Sequence, residues 1–179
     1  SVYDITNEWA ASIEPQDNSL VFLPFLNGSN EDPLAKGTFV GLTAYHTKKH
    51  MLRAVYEGIV FSHLTHVKKL LLNHEIPASI RLSGGAANSR VWVQIFADAL
   101  QIPVETISDK ELGAQGAAMA AGIAAGIYSG YQEAVQRTVT ITDRVLPRTE
   151  YKEIYEQKYA AYRGVIEGLG SAWQFFKNQ

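Results

Sequence analysis

The segment SIRLSGGAANSRVWVQIFADALQIPVETIS, residues 79–108, sets the fold class. Its first part, SIRLSGG (79–85), reads as a strand that stops in a turn at Gly84-Gly85. Asn88 or Ser89 then stands where a helix N-cap belongs. From Arg90 to Leu100 the apolar residues Val91, Trp92, Ile95, Phe96, Ala99 and Leu100 recur at helical spacing. Pro103 ends that helix, and PVETIS (103–108) reads as a second strand. Strand, tight turn, helix and strand in so short a span predict two neighbouring parallel strands with a helix between them.

Working outward, residues 47–73 change to a helical period, with Leu52, Val55, Tyr56, Ile59, His63, His66, Val67 and Leu70 on one side. Thr47 is the expected N-cap, and Lys48-Lys49 in the first turn oppose the helix dipole. Downstream, ELGAQGAAMAAGIAAGIY (111–128) reads as a helix of small residues, followed after Gly130 by a short helix, YQEAVQRT. An irregular stretch to Pro147 follows. Thr149 then opens a long terminal helix with the stripe Tyr151, Ile154, Tyr155, Tyr162, Val165, Ile166, Leu169, Trp173 and Phe176. Upstream, SLVFLPFLNG (19–28) is an apolar run broken by a proline, as expected of an edge or irregular strand. NGSNEDPLAKG (27–37) is a loop by composition, TFVGL (38–42) is a short apolar segment, and residues 5–13 are weakly helical. The chain opens on Ser1, and SVYDITNEWAASIEP reads as the end of a helix begun earlier. Residues 1–18 are therefore expected to be the tail of an upstream helix and a linker, and 1–179 one domain of a longer protein.

Composition narrows the function classes. With 46% hydrophobic and 19% charged residues, the chain can bury a substantial core. A net charge of -2 gives no electrostatic footprint for nucleic acid or a membrane surface. The absence of cysteine removes disulfides, thiol nucleophiles and thiolate metal sites, and suits a cytoplasmic location. The most membrane-like run, 114–127, is too short and too weakly apolar to span a bilayer.

Ligands of parallel α/β sheets sit beyond the carboxyl ends of strands, where a helix presents unpaired N–H groups. Gly84 and Gly85 lie at such a place. Glycine there leaves the backbone bare to a ligand and also permits positive φ. The spacing is neither GxxxxGK[ST] nor GxGxxG. From the residues alone, a nucleotide platform and a plain strand–helix turn both stand. The pairs His63/His66 and His46/His50 have helical spacing for a metal but lack a third ligand, so core or interface histidines are the expectation for the first pair. Glu57, opposite the apolar stripe, is open between a structural hydrogen bond and a substrate contact. The small-residue helix is expected to serve close backbone packing.

Three segments in order carry a resemblance. GTFVGLTAYHTKKHMLRAVYE (37–57) resembles the second signature of the FGGY carbohydrate kinases, with Gly37, Phe39, Gly41-Leu42, His50-Met51 and Ala54 through Glu57 in place. SGGAANSRVWVQIFADALQIPVE (83–105) is similar to that family's adenosine segment, with Gly84-Gly85, Gln94 and Ala97-Asp98 in register. ELGAQGAAMAAGIAAG (111–126) resembles the helix that follows it. FLPFLNGSN and AVYEGIVFSHLTH look most like the L-xylulose kinase branch.

The resemblance implies an α/β, actin-like (ribonuclease H-like) fold, a mixed sheet flanked by helices, with this chain as the C-terminal, nucleotide-binding domain of a two-domain kinase. It implies that Gly84, Gly85, Asn88 and Ser89 form the turn against adenine and ribose. Some relatives carry the asparagine one place later, at the position of Ser89. It also implies ATP and Mg2+ as cofactors and in-line transfer of the γ-phosphoryl group to the hydroxyl of a sugar, such as the ketopentose L-xylulose. The family's catalytic aspartate lies upstream of everything in this chain. Asp98 belongs to a packing pattern and Asp109 closes a strand, so no catalytic residue is assigned and the chain alone is expected to be inactive. A homodimer stays open, and so does a non-catalytic actin-like domain for nucleotide sensing or protein interaction.

Overall fold

The computed structural model describes residues 1–108 and 111–177. The segment 79–108 folds as its pattern predicts. β3 (Ile80–Leu82) and β4 (Val104–Ile107) are parallel, with Arg81 opposite Glu105, and α3 (Arg90–Leu100) connects them. Between β3 and α3, Gly85–Asn88 make one 3-10 turn. Gln101 ends α3 in the left-handed conformation at φ 55°, ahead of Pro103.

One strand was not legible in the sequence. Ile141–Val145, within the stretch expected to be irregular, forms β5 and pairs antiparallel with β4, giving the sheet order β3-β4-β5. Its Asp143 and Arg144 interrupt apolar alternation, yet both have partners that only the fold supplies. Arg144 and Arg81 flank Glu105 at 4.0 and 3.4 Å, and Asp143 pairs with Arg90. A separate antiparallel pair, β1 (Val21–Leu23) and β2 (Thr38–Val40), brackets the 27–37 loop.

α1 (Val2–Ala11) packs on α2 (Lys48–Leu71) and α3. α4 (Leu112–Ala124) packs on α5 (Tyr131–Thr138), and α6 (Lys152–Trp173) is the long terminal helix after a 3-10 turn at Thr149–Tyr151. The core gathers Leu23 and Phe25 from the β1 side, Val60, Phe61 and Leu64 from α2, and Val93, Ile95 and Phe96 from α3. It is closed by Val104 and by Tyr155, Tyr162 and Trp173 of α6. α2 reaches β1 because residue 58 is glycine; a Cβ there would collide with the Phe22 carbonyl.

The buried face of α2 corrects the expected stripe. Arg53, Ala54, Glu57, Val60, Phe61 and Leu64 are buried, while His63 and His66 are exposed and Leu52, Val55 and Ile59 only half-buried. Neither His63 nor His66 is a core residue. α4 departs as well: its glycines 113 and 116 have nothing within 4 Å of where a Cβ would stand, and only Met119 and Gly122 are buried. Close backbone packing explains neither Gly113 nor Gly116.

Thr47 caps α2 in an unusual manner. Its backbone N–H donates to His50 Nδ1 at 3.2 Å and its hydroxyl lies 2.9 Å from the same nitrogen. His50 so takes the part that Glu or Gln plays in a capping box. Burial first, then the neighbouring His46, hold the His50 pKa below the ordinary histidine value, with Asp17 acting weakly in the opposite sense. A depressed folded pKa means that the unfolded chain takes up the proton first. Stability from His50 is therefore complete above about pH 6.5 and is lost as pH falls below it. Melting curves from pH 7.5 to 5 should show a shallower acid loss in His50→Gln than in the parent; equal slopes would exclude His50 as a source of that loss. His63, exposed on one side but with its ring 5.6 Å from Phe96, is also lowered, by partial desolvation and then by His66, and contributes to both proteins alike.

Candidate functional site

The glycine turn sits at the carboxyl end of β3, with its backbone open. Gly84 has φ 81° and ψ -163°, a conformation reserved for glycine. Gly85 lacks a positive φ, and a Cβ on either residue would meet nothing within 4 Å. Conformation accounts for the first glycine, but nothing within the described chain accounts for the second. The turn is exposed at Gly84, Gly85 and Asn88 and buried at Ser89.

The two polar candidates differ in what they can offer. Among the described residues the Asn88 side chain makes no hydrogen bond, so its amide is free for a ligand. The Ser89 hydroxyl is committed inward: it accepts from Trp92 N–H at 3.1 Å, capping α3, and donates to Asn7 Oδ1 at 2.6 Å. Ser89 thus shapes the turn from behind.

Behind the turn lies a clasp of three helices. The Tyr56 and Trp92 rings stack with centroids 4.5 Å apart and planes 15° from parallel. Trp92 Nε1 donates to the Tyr56 carbonyl at 3.2 Å, and the Tyr56 hydroxyl donates to Asn7 Oδ1 at 3.1 Å. The sequence placed Tyr56 and Trp92 in apolar stripes but gave no sign of Asn7, because its partners are distant in the chain.

The carboxylates near the motifs are structural. Asp98 is fully buried; its Oδ1 accepts from Gln94 Nε2 and the Arg148 backbone N–H, both at 2.8 Å, and its Oδ2 takes the Arg148 guanidinium at 2.7 and 3.0 Å. Those bonds fasten the start of α6 to α3. Asp109 lies outside the described residues. Glu57, 1% exposed, lies on the buried face of α2, where no substrate reaches it. Arg53 Nε donates to its Oε1 at 2.8 Å, and Lys158 Nζ stands 2.7 Å from its Oε2, a close ion pair without the alignment of a hydrogen bond. Burial drags the Lys158 pKa down while Glu57 opposes it; burial, then the Glu57 charge, push Tyr155 up. Arg53 also donates to the Ala10 carbonyl and the Tyr155 hydroxyl, and Lys158 to the carbonyls of Pro15 and Asn18. The network pins the segment leading from α1 into β1.

His46 and His50 stack edge to face at 5.5 Å and are held by Thr43, Thr47 and Ser19. Among the described residues no three His, Asp or Glu side chains gather as a metal cage, and no helix is long and apolar enough to cross a membrane.

Comparison with known proteins places this geometry. Residues 3–125 match the FGGY family of carbohydrate kinases, C-terminal domain. The chain is 36% identical over 167 residues to L-xylulose/3-keto-L-gulonate kinase of Escherichia coli K12, covering 93% of this chain and 34% of that protein. It is 31% identical to a probable L-xylulose kinase of Pasteurella multocida, again over 93% of this chain and 34% of the relative. Among solved structures, xylulose kinase from Rhodospirillum rubrum superimposes with a TM-score of 0.85 at 31% identity, covering 96% of this chain and 35% of that one. Ligand-bound xylulose kinase from Lactobacillus acidophilus gives 0.88 at 27% identity, covering 96% and 36%. The fold is that of the actin-like ATPase domain of sugar kinases. The chain spans about a third of the length of these relatives. A bare glycine turn at a strand end, a capped helix behind it and the matched span 3–125 agree: the chain belongs to the FGGY family of carbohydrate kinases, as its C-terminal domain.

Proposed function

We propose that this domain supplies the adenosine side of an ATP site in a kinase that phosphorylates a sugar, a ketopentose such as L-xylulose. The observation that carries the reading is Gly85, exposed, without positive φ and without a neighbour for a Cβ, beside Gly84 at the carboxyl end of β3. A purine and ribose laid on that backbone would bring their own neighbour. Asn88 offers its amide to the ribose, and Ser89 holds the turn by its bonds to Asn7 and Trp92. Names of relatives support the sugar class: those matched over 88–93% of the chain are named for L-xylulose/3-keto-L-gulonate, L-xylulose or xylulose, while gluconokinase of Bacillus subtilis matches over 65%. Mg2+ neutralises phosphate charge when MgATP is bound; the residues described here form no cage for it, so it would travel with the nucleotide's phosphates. Asp98 and Glu57, described carboxylates within the matched motifs, are buried in ion pairs, and neither is placed to take the proton of a sugar hydroxyl. The chain by itself should therefore bind nucleotide weakly and turn over nothing.

The test is a titration of the 179-residue chain with ADP, followed at backbone amides 84–89 by NMR. Saturable shifts confined to the turn and the start of α3 are expected; flat spectra at millimolar ADP would sink the nucleotide reading. Ketopentose-dependent ATP turnover is expected only from the protein expressed from its whole reading frame. Turnover by the chain alone would overturn its assignment as the adenosine side only.

A further inference from the structure

Among the described residues, the turn 83–89 has a single side-chain hydrogen bond to any element other than α3. It is the 2.6 Å bond from Ser89 Oγ to Asn7 Oδ1. The same oxygen accepts the Tyr56 hydroxyl at 3.1 Å, and Tyr56 is stacked on Trp92, whose N–H is the one that Ser89 caps. One carboxamide oxygen on α1 thus closes a ring through α2 and α3 and returns to the base of the glycine turn. We propose that Asn7 is a positioning residue for nucleotide binding: its Oδ1 holds Ser89, and through Ser89 the open backbone of Gly84 and Gly85, in the geometry that accepts adenosine. This inference rests on the nucleotide reading of the turn.

Several features separate this role from ordinary packing. Asn7 is only half-buried and adds no apolar contact to the core, so its work is done by the oxygen. That oxygen serves two donors, which a carbonyl or carboxylate oxygen can do and an apolar side chain cannot. Without it, the buried Ser89 hydroxyl would lose its acceptor and the Tyr56 hydroxyl would be left with Thr6 Oγ1 alone, at 3.5 Å. Ser89 then keeps only its cap on the Trp92 N–H, and the turn is oriented by β3, α3 and its own 3-10 bonds, with no tie left to α1. The fastening also makes the turn sensitive to where α1 sits, because Asn7 belongs to that helix alone.

The experiment compares the parent chain with Asn7→Leu, which keeps the size and removes the acceptor, and Asn7→Asp, which keeps an oxygen in place. ADP is titrated against amides 84–89, and amide hydrogen exchange is measured without nucleotide. Asn7→Leu should weaken ADP roughly tenfold, the scale of one hydrogen bond. It should also speed exchange at 85–92 and leave the protected amides of α2 and α6 unchanged. Asn7→Asp should stay close to the parent in both measurements. Parent-like affinity and exchange in Asn7→Leu would overturn the proposal, as would loss of protection throughout the chain, which would mark a merely structural role. Flat spectra in the parent itself would instead defeat the nucleotide reading, and the proposal with it, an outcome distinct from the other two.

Discussion

Glu57→Ala is expected to cost about 3–5 kcal/mol of folding stability, the scale for breaking a buried ion pair by removing one partner. Glu57 is 1% exposed, and its carboxylate stands between the buried Arg53 and the largely buried Lys158. Its removal leaves Arg53 with the Ala10 carbonyl and the Tyr155 hydroxyl, and Lys158 with two carbonyls, all of them neutral acceptors. Two positive charges then face each other in the interior with nothing to offset them. Against a typical total of about 5–15 kcal/mol, such a loss brings the domain close to unfolding at ambient temperature. Glu57→Gln keeps the shape and tests the charge alone; it should lower the melting temperature by roughly 6 °C or more for a chain of this size. A shift of a degree or two in Glu57→Gln would show that the charge contributes little and that shape is what matters at this position. The exposed Arg137–Glu133 pair should by contrast lose little when Arg137 is replaced, because water already screens both charges.

The same network shows why part of the molecule was legible in the sequence and part was not. The β3–turn–α3–β4 unit could be read because each boundary carries its own local signal: two glycines, a serine cap, a proline stop. α2 was read on the wrong face because hydrophobic periodicity treats Arg53 and Glu57 as solvent-facing. Their burial depends on Lys158 and Tyr155, about a hundred residues away, and no local pattern encodes that partnership. β5 was missed for the same reason, since Asp143 and Arg144 look like loop residues until Arg90 and Glu105 are opposite them. In the candidate site, Gly84, Gly85 and Asn88 announce themselves by residue type. Asn7 does not, because an asparagine in a weakly helical segment is unremarkable without Ser89 and Tyr56 beside it. The family resemblance pointed to the turn, but it could not show that the Ser89 hydroxyl is bonded inward to Asn7 and Trp92.

The two glycines of the turn should separate under mutation, with the larger functional effect at the residue that matters less for folding. Gly84→Ala places a side chain at φ 81° and ψ -163°, a strain of about 1–3 kcal/mol, so it should destabilise the domain even though its Cβ has open space. Gly85→Leu has no such conformational penalty, and its Cβ would meet no described atom within 4 Å. Its melting temperature should match the parent's, or rise slightly as the unfolded chain loses the freedom of a glycine. Nucleotide affinity should respond in the opposite order of severity. A leucine at 85 fills the space in which the purine would lie, and displacing a ligand by that much volume is worth about 1–3 kcal/mol, up to roughly a hundredfold in affinity. Calorimetric melting beside an ADP titration on both variants reads the two quantities independently. If Gly85→Leu bound ADP as the parent does, the open backbone would be a turn and nothing more, and the adenosine side would have to be sought on another face. Loss of binding with stability intact would mean that glycine at 85 is kept for a molecule that is not part of the chain, which is the physical content of calling the turn a site.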